Sequence, residues 1–134
     1  FADPALTFFA VHALSPISES WASQRDAFTR DLASRANQVE GSVLVAGDLN
    51  TSPHSVLFSE LLREGRLEDA RRGFGWKPTW LIDTPLATAI DHFLYRGDMG
   101  VQEFRVLGDI GSDHRPIVVT VRFGDNTTNE DETE

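Results

Sequence analysis

Two short apolar runs, separated by one long stretch of helical periodicity, limit what this chain can fold into. Ala5 to Val11 (ALTFFAV) and Ser42 to Ala46 (SVLVA) are rich in strand formers and read as strands, the second of them buried. Between them Trp21, Phe28, Leu32, Ala36 and Val39 recur at three- and four-residue multiples, while Arg25, Asp26, Arg30, Asp31 and Arg35 take other faces. That spacing predicts a helix from about Ser18 to Glu40, closed by Gly41. A second helix is predicted with Thr51 or Ser52 as its cap and Pro53 at its first position, running to Arg63 and Glu64 and stopping at Gly65. Three more strands follow, at Ala89 to Tyr95, Val101 to Leu107 and Pro116 to Phe123. The order β-α-β-α-β-β-β predicts a layered α/β fold, a mixed β-sheet with helices on one face.

Composition narrows the class. The chain has 134 residues, 40% of them hydrophobic and 25% charged, which suits one soluble globular unit. It has no cysteine, which excludes disulfides and thiolate metal sites. No apolar run approaches the roughly 20 residues that span a bilayer, and no signal peptide heads the chain. The single methionine is Met99, and the chain opens on Phe1-Ala2-Asp3-Pro4, which reads as a strand end entering a turn. A piece of a longer protein is therefore expected, in a compartment the sequence does not identify. Of the net charge of −9, the segment from Gly124 to Glu134 carries five acids and no base, leaving −4 on residues 1–123. That segment has no apolar residue and reads as a disordered acidic tail. An acidic body argues against capture of nucleic acid by bulk charge, and no stable nucleic-acid partner is implied.

Ionisable residues gather where strands end: His12, then Asp48 and Asn50, then Asp91, then Asp113 and His114. Singly, most have an ordinary explanation. Asp48-Leu49-Asn50 fits an Asx turn, and Asp113-His114 fits a loop. Asp91 is different, because a carboxylate inside an apolar strand is expensive without a partner. A histidine on a neighbouring strand would provide one, and an Asp–His pair is a common preparation for a phosphate-facing imidazole. Asp48, Asn50 and Asp113 offer oxygen donors, which suit Mg²⁺ or Mn²⁺ better than zinc. His92 should point to the opposite face of the strand from Asp91 and take a packing role, and His54 should be exposed.

Four segments in order, VHALSP (Val11–Pro16), VAGDLNTSP (Val45–Pro53), AIDHFLYRG (Ala89–Gly97) and GSDHRPIVV (Gly111–Val119), carry a resemblance. Together they resemble the endonuclease/exonuclease/phosphatase superfamily, which includes deoxyribonuclease I, exonuclease III-type nucleases, sphingomyelinases and inositol polyphosphate 5-phosphatases. The resemblance covers only the second half of a domain that typically needs roughly 250 residues. It implies half of a four-layer α/β-sandwich (deoxyribonuclease I-like), with residues 1–123 as the C-terminal portion of the domain. The first half, with an asparagine and a metal-binding glutamate, would lie elsewhere.

The resemblance also implies roles. Asp48 would orient or deprotonate the attacking water and join Asp113 in binding metal. Asn50 would hydrogen-bond the phosphate, His12 would contact it, and His114, paired with Asp91, would stabilise the transition state. The stretch DARRGFGWKPTW (Asp69–Trp80) suggests Arg72, Lys77 and Trp80 as substrate contacts, although packing of Trp76 and Trp80 with solvated cations explains it equally well. The implied activity is divalent-metal-dependent phosphoester hydrolysis on a nucleic acid, a phospholipid headgroup or a small phosphodiester. The Asp69–Trp80 stretch resembles a bacterial subgroup in which membrane segments often precede the domain, so a membrane-attached parent is expected. The competing reading is a catalytically inactive fold module that serves in partner binding. A half-sandwich should also expose an apolar sheet face and self-associate across it.

Overall fold

The first apolar run forms β1 (Leu6–His12) and the second β2 (Ser42–Asp48), paired in parallel from Leu6↔Ser42 to His12↔Asp48. The computed structural model describes residues 5–124, so the predicted acidic tail lies outside the described residues from position 125 onward. Parallel neighbours need a crossover, which α1 (Glu19–Gln38) supplies. Ser18 caps it, its hydroxyl accepting from the Trp21 amide at 3.2 Å.

The second helix, α2 (Val56–Gly65), starts later than its proline suggests. Its cap is Ser55, which accepts from the Phe58 amide at 3.0 Å. Thr51 and Ser52 do not cap it, because residues 52–55 close a turn of their own through the Ser55 amide and the Ser52 carbonyl. Thr51 Oγ1 is meanwhile within 2.9 Å of Ser55 Oγ. Pro53 therefore lies in the turn, ahead of the first helical residue.

β3 (Glu68–Asp69) and β4 (Asp91–Arg96) complete a mixed sheet of order β1-β2-β4-β3, with β4 antiparallel to both neighbours. β5 (Met99–Val106) and β6 (Ile117–Phe123) form a separate antiparallel ribbon. They cannot extend the sheet beside β4, because β2 and β3 already take both of its edges.

Both helices pack on one face of the sheet. Phe9 and Val11 of β1, Val43 and Val45 of β2 and Leu94 of β4 meet Leu32, Ala33 and Ala36 of α1 and Phe58 and Leu61 of α2. Each fully buried aliphatic or phenyl side chain contributes about 1.5–3 kcal/mol. Arg96, at the end of β4, locks this layer from below. Its guanidinium donates to the carbonyls of Gly65 (2.9 Å), Ala36 (3.0 Å) and Val39 (2.6 Å), at the C-terminal ends of both helices. The opposite face is less covered: Leu6 and Phe8 stay 44% and 57% exposed. The ribbon meets it only in part, across a cleft lined by Ala46 and Phe93 on the sheet and Ile117 and Val119 on β6. Among the described residues no helix is long and apolar enough to cross a membrane.

The close approach of β1 and β2 requires glycine at one point. Gly47 has φ +140°, and a methyl group there would lie 1.9 Å from the Val11 carbonyl oxygen. Gly47→Ala should therefore cost roughly 2–4 kcal/mol, read by urea unfolding. A variant within about 0.5 kcal/mol of the parent would show that the strand ends can separate freely.

Candidate active site

Register alone brings three functional candidates into line. His12 opposes Asp48 across β1 and β2, and Asp48 opposes Asp91 across β2 and β4. Directly opposed residues share a face, here the face away from the helices. His114 arrives from the loop between β5 and β6. That loop is held against an extended segment by an isolated bridge between Trp80 and His114 and by the Arg115 amide, which donates to the Thr79 carbonyl at 2.7 Å.

The partner that Asp91 required is His114, whose Nδ1 lies 2.8 Å from Asp91 Oδ2. An ionised carboxylate only accepts, so the proton is on Nδ1 and Nε2 faces the row. A second donor is Thr79, fully buried, whose hydroxyl donates to the same oxygen at 2.6 Å. Thr79 Oγ1 also accepts weakly from the Ile90 and Asp91 amides, at 3.3 Å each. Burial lowers the His114 pKa, but the hydrogen bond and the charges of Asp91, Asp48 and Asp113 outweigh it, so the net shift is upward.

Asp48 sits between two imidazoles. Its Oδ2 is 3.7 Å from His12 Nε2 and 3.9 Å from His114 Nε2. Burial raises its pKa, helped by the charge on Asp91, and this exceeds the opposing pull of the Asn50 amide and the two histidines. His12 is itself well exposed. Asn50 adopts a left-handed backbone, φ 46°, which lets its amide donate to Asp48 Oδ1 at 2.7 Å. Its side-chain Nδ2 donates to the Ala13 carbonyl at 2.8 Å, and its own carbonyl accepts from Arg25 at 3.1 Å.

The remaining candidates are scattered. Asp113 is exposed beside His114 and acts on it through charge. The Trp80 ring lies 6.4 Å from the His114 ring, tilted by 36°. Lys77 lines a separate trough with Trp76, Pro78 and Arg115. Arg72 is exposed and its charge acts on Tyr95, four residues along β4 from Asp91. His54 is exposed and stacks on Trp76 at 5.6 Å. Sequence reasoning missed Thr79, Arg25 and Arg71. The sole clue to Thr79 was that one histidine cannot satisfy a buried carboxylate.

Asp48, Asp91 and His114 each offer a ligand atom within 4.8 Å of the others, close enough to share one ion. The two carboxylates fit Mg²⁺ or Mn²⁺ in donor type, whereas the imidazole, already paired with Asp91, is not a donor such an ion favours, so most of an octahedral shell would fall to waters or to other side chains.

The profile of the Endonuclease/Exonuclease/phosphatase family matches residues 2–114, and the chain belongs to that family. Its superfamily comprises hydrolases of phosphoester bonds. No curated protein matches the chain. Among solved structures it is similar to an endonuclease/exonuclease/phosphatase from Beutenbergia cavernae, with 23% identity and TM-score 0.73, covering 89% of this chain and 36% of that one. It is also similar to the mannosyl-6-phosphatase of Bacteroides thetaiotaomicron, with 18% identity, TM-score 0.65 and coverage of 87% and 51%. The human Nocturnin catalytic domain matches with 17% identity, TM-score 0.61 and coverage of 89% and 47%. These likenesses establish a deoxyribonuclease I-like fold. The chain spans between 36% and 51% of the length of these three structures.

His92, next to Asp91, points to the helix side and is almost wholly buried. Burial is the main cause that pushes its pKa down to about 4 from an ordinary 6.5. Below pH 6.5 the unfolded chain takes up a proton that the folded chain refuses until about pH 4, so stability falls as pH drops through that window. Between pH 7 and pH 5 the parent should lose about 2 kcal/mol more than His92→Gln in urea unfolding. Parallel curves would contradict the assignment.

Proposed function

We propose that this chain carries the C-terminal half of a divalent-metal-dependent phosphoesterase site. The observation that supports this reading most is the Asp91–His114 pair aimed across the sheet row at Asp48, inside a chain of this family. Asp48, with a raised pKa, is suited to hold and deprotonate a water at Oδ2. His114, with its Nδ1 proton committed to Asp91, presents Nε2 to a phosphoryl oxygen, and its raised pKa keeps more of the imidazolium at neutral pH. His12 offers a second imidazole on the other side of Asp48. Asn50, fixed by its left-handed turn, keeps one amide proton for the phosphate.

In this reading Asp48 and Asp113, together with residues of the other half, hold Mg²⁺ or Mn²⁺. Such an ion supplies Lewis-acid neutralisation of the phosphoryl oxygens. Trp80, beside His114, contacts the substrate directly, and Lys77 and Arg72 reach only its more distant parts. Substrates are small phosphodiesters, phosphomonoesters or headgroups in preference to duplex nucleic acid, which the acidic body would repel. A phosphosugar-acting neighbour, the mannosyl-6-phosphatase, agrees with that preference.

Residues 1–134 alone should show no more than trace Mg²⁺-dependent hydrolysis of bis-p-nitrophenyl phosphate. In a protein that also carries the upstream half, Asp48→Ala should lower kcat at least about 100-fold. Robust turnover by 1–134, abolished by Asp48→Ala, would overturn the half-site reading. The exposed face around Leu6 and Phe8 should make 1–134 self-associate in light scattering; a monomer with that face solvated would contradict this.

A further inference from the structure

Beside β4, where the segment that follows β3 runs along its edge, a guanidinium is buried among the segments that carry His12, Asp48 and Asp91 and the loop of His114. Arg71 is 5% exposed and His92 1%. A buried guanidinium is costly to desolvate, and an apolar side chain of similar length would fill the same space at lower cost. What Arg71 does that an apolar residue cannot is direct hydrogen bonds. Its Nη2 donates to the Asp91 carbonyl at 2.7 Å, and its Nη1 to His92 Nδ1 at 3.2 Å. The carboxylate of Asp69 lies 3.8 Å from Nη1.

The direction of these bonds settles the state of His92. A guanidinium only donates, so Nδ1 must accept and the ring proton must sit on Nε2. Nε2 is 2.8 Å from the Thr51 carbonyl, to which it donates. The Phe58 ring, 4.5 Å away, fixes the plane of the imidazole. Thr51 follows Asn50 directly. Polarity thus runs unbroken from Arg71 through His92 to the loop that presents Asn50. The guanidinium also lies over the Phe104 ring at 4.8 Å. Phe104 belongs to β5, whose ribbon bears the His114 loop.

We propose that Arg71, acting through His92, is a positioning residue: one buried guanidinium fixes the segments that carry Asn50, Asp91 and His114 relative to one another. The proposal rests on the reading of those side chains as the reacting face. It goes beyond that reading by giving a role to two residues that touch neither metal nor phosphate.

Nitrogen-15-labelled 1–134 provides the test. In His92 the ring proton should be found on Nε2, with Nδ1 bare. The Asn50 amide, bonded to Asp48 Oδ1, should exchange about tenfold faster in Arg71→Met, Arg71→Lys and His92→Leu. Amides of Val43 to Val45 should stay within about threefold of the parent. His92→Gln, whose amide can still reach the Thr51 carbonyl, should recover part of the Asn50 protection. If Arg71→Met fails to fold, Arg71→Lys is read instead, since it keeps the charge and the stem but loses the fork. In a protein with both halves, kcat should fall about tenfold with KM within about threefold. A proton on Nδ1, unchanged Asn50 exchange in every variant, or a uniform rise across β1, β2 and β4 would each overturn the proposal. An active Asp48→Ala protein would instead overturn the proposed function and leave the exchange result standing.

Discussion

Side chains along a strand alternate between faces, so a one-residue slip of β1 on β2, or of β2 on β4, would turn His12, Asp48 or Asp91 toward the helices. Unbroken pairing from Leu6↔Ser42 through Asp48↔Asp91 prevents it. The apolar helix-facing residues enforce the register from the other side, because Phe9, Val45 and Leu94 would be expelled by the same slip. The core and the row of His12, Asp48 and Asp91 are two faces of one constraint. Gly47 belongs to it as well, since it lets β1 come close just before Asp48.

Two histidines on either side of Asp91 show how environment divides one chemistry into two. His92 follows Asp91 in the chain, is buried between a guanidinium and a carbonyl, and is held neutral. His114 follows it in space, shares its carboxylate, and is biased toward the cation. The first has its proton placed by a donor that cannot accept. The second has its proton placed by an acceptor that cannot donate. Both rings are thereby fixed in tautomer, one inside the core and one on the row beside Asp48.

Much of this was legible in the sequence because it is written in local periods. The alternation of apolar runs and helical spacing carries the element order except for the two-residue β3, and an acid inside LATAIDHFLYR demanded a partner. His92 was expected on the face opposite Asp91, in a packing role, by strand alternation, and it is buried there against Phe58. Three parts were not legible. The start of α2 is displaced by the turn at residues 52–55, with the Thr51 hydroxyl beside Ser55 and its carbonyl taken by His92, so capping preference at Thr51 or Ser52 lost. Thr79 and Arg71 reach their partners across 12 and 20 or more residues, and nothing in the spacing of an irregular loop marks such pairings. The separation of β5 and β6 from the main sheet likewise depends on which edges are already taken.

Arg96 gives the helix layer a dependence on chain order. The last carbonyls of α1 and α2 are joined through a single side chain that lies beyond both helices in the sequence. During synthesis from the N-terminus, each helix can wind and close its last turn through the Val39 and Arg66 amides before residue 96 exists, but the two helix ends are not yet tied to each other. The event that ties them is the docking of β4, which also delivers Asp91 beside Asp48. In a nascent chain, then, the layer that supports the site and the strand that completes its row mature together.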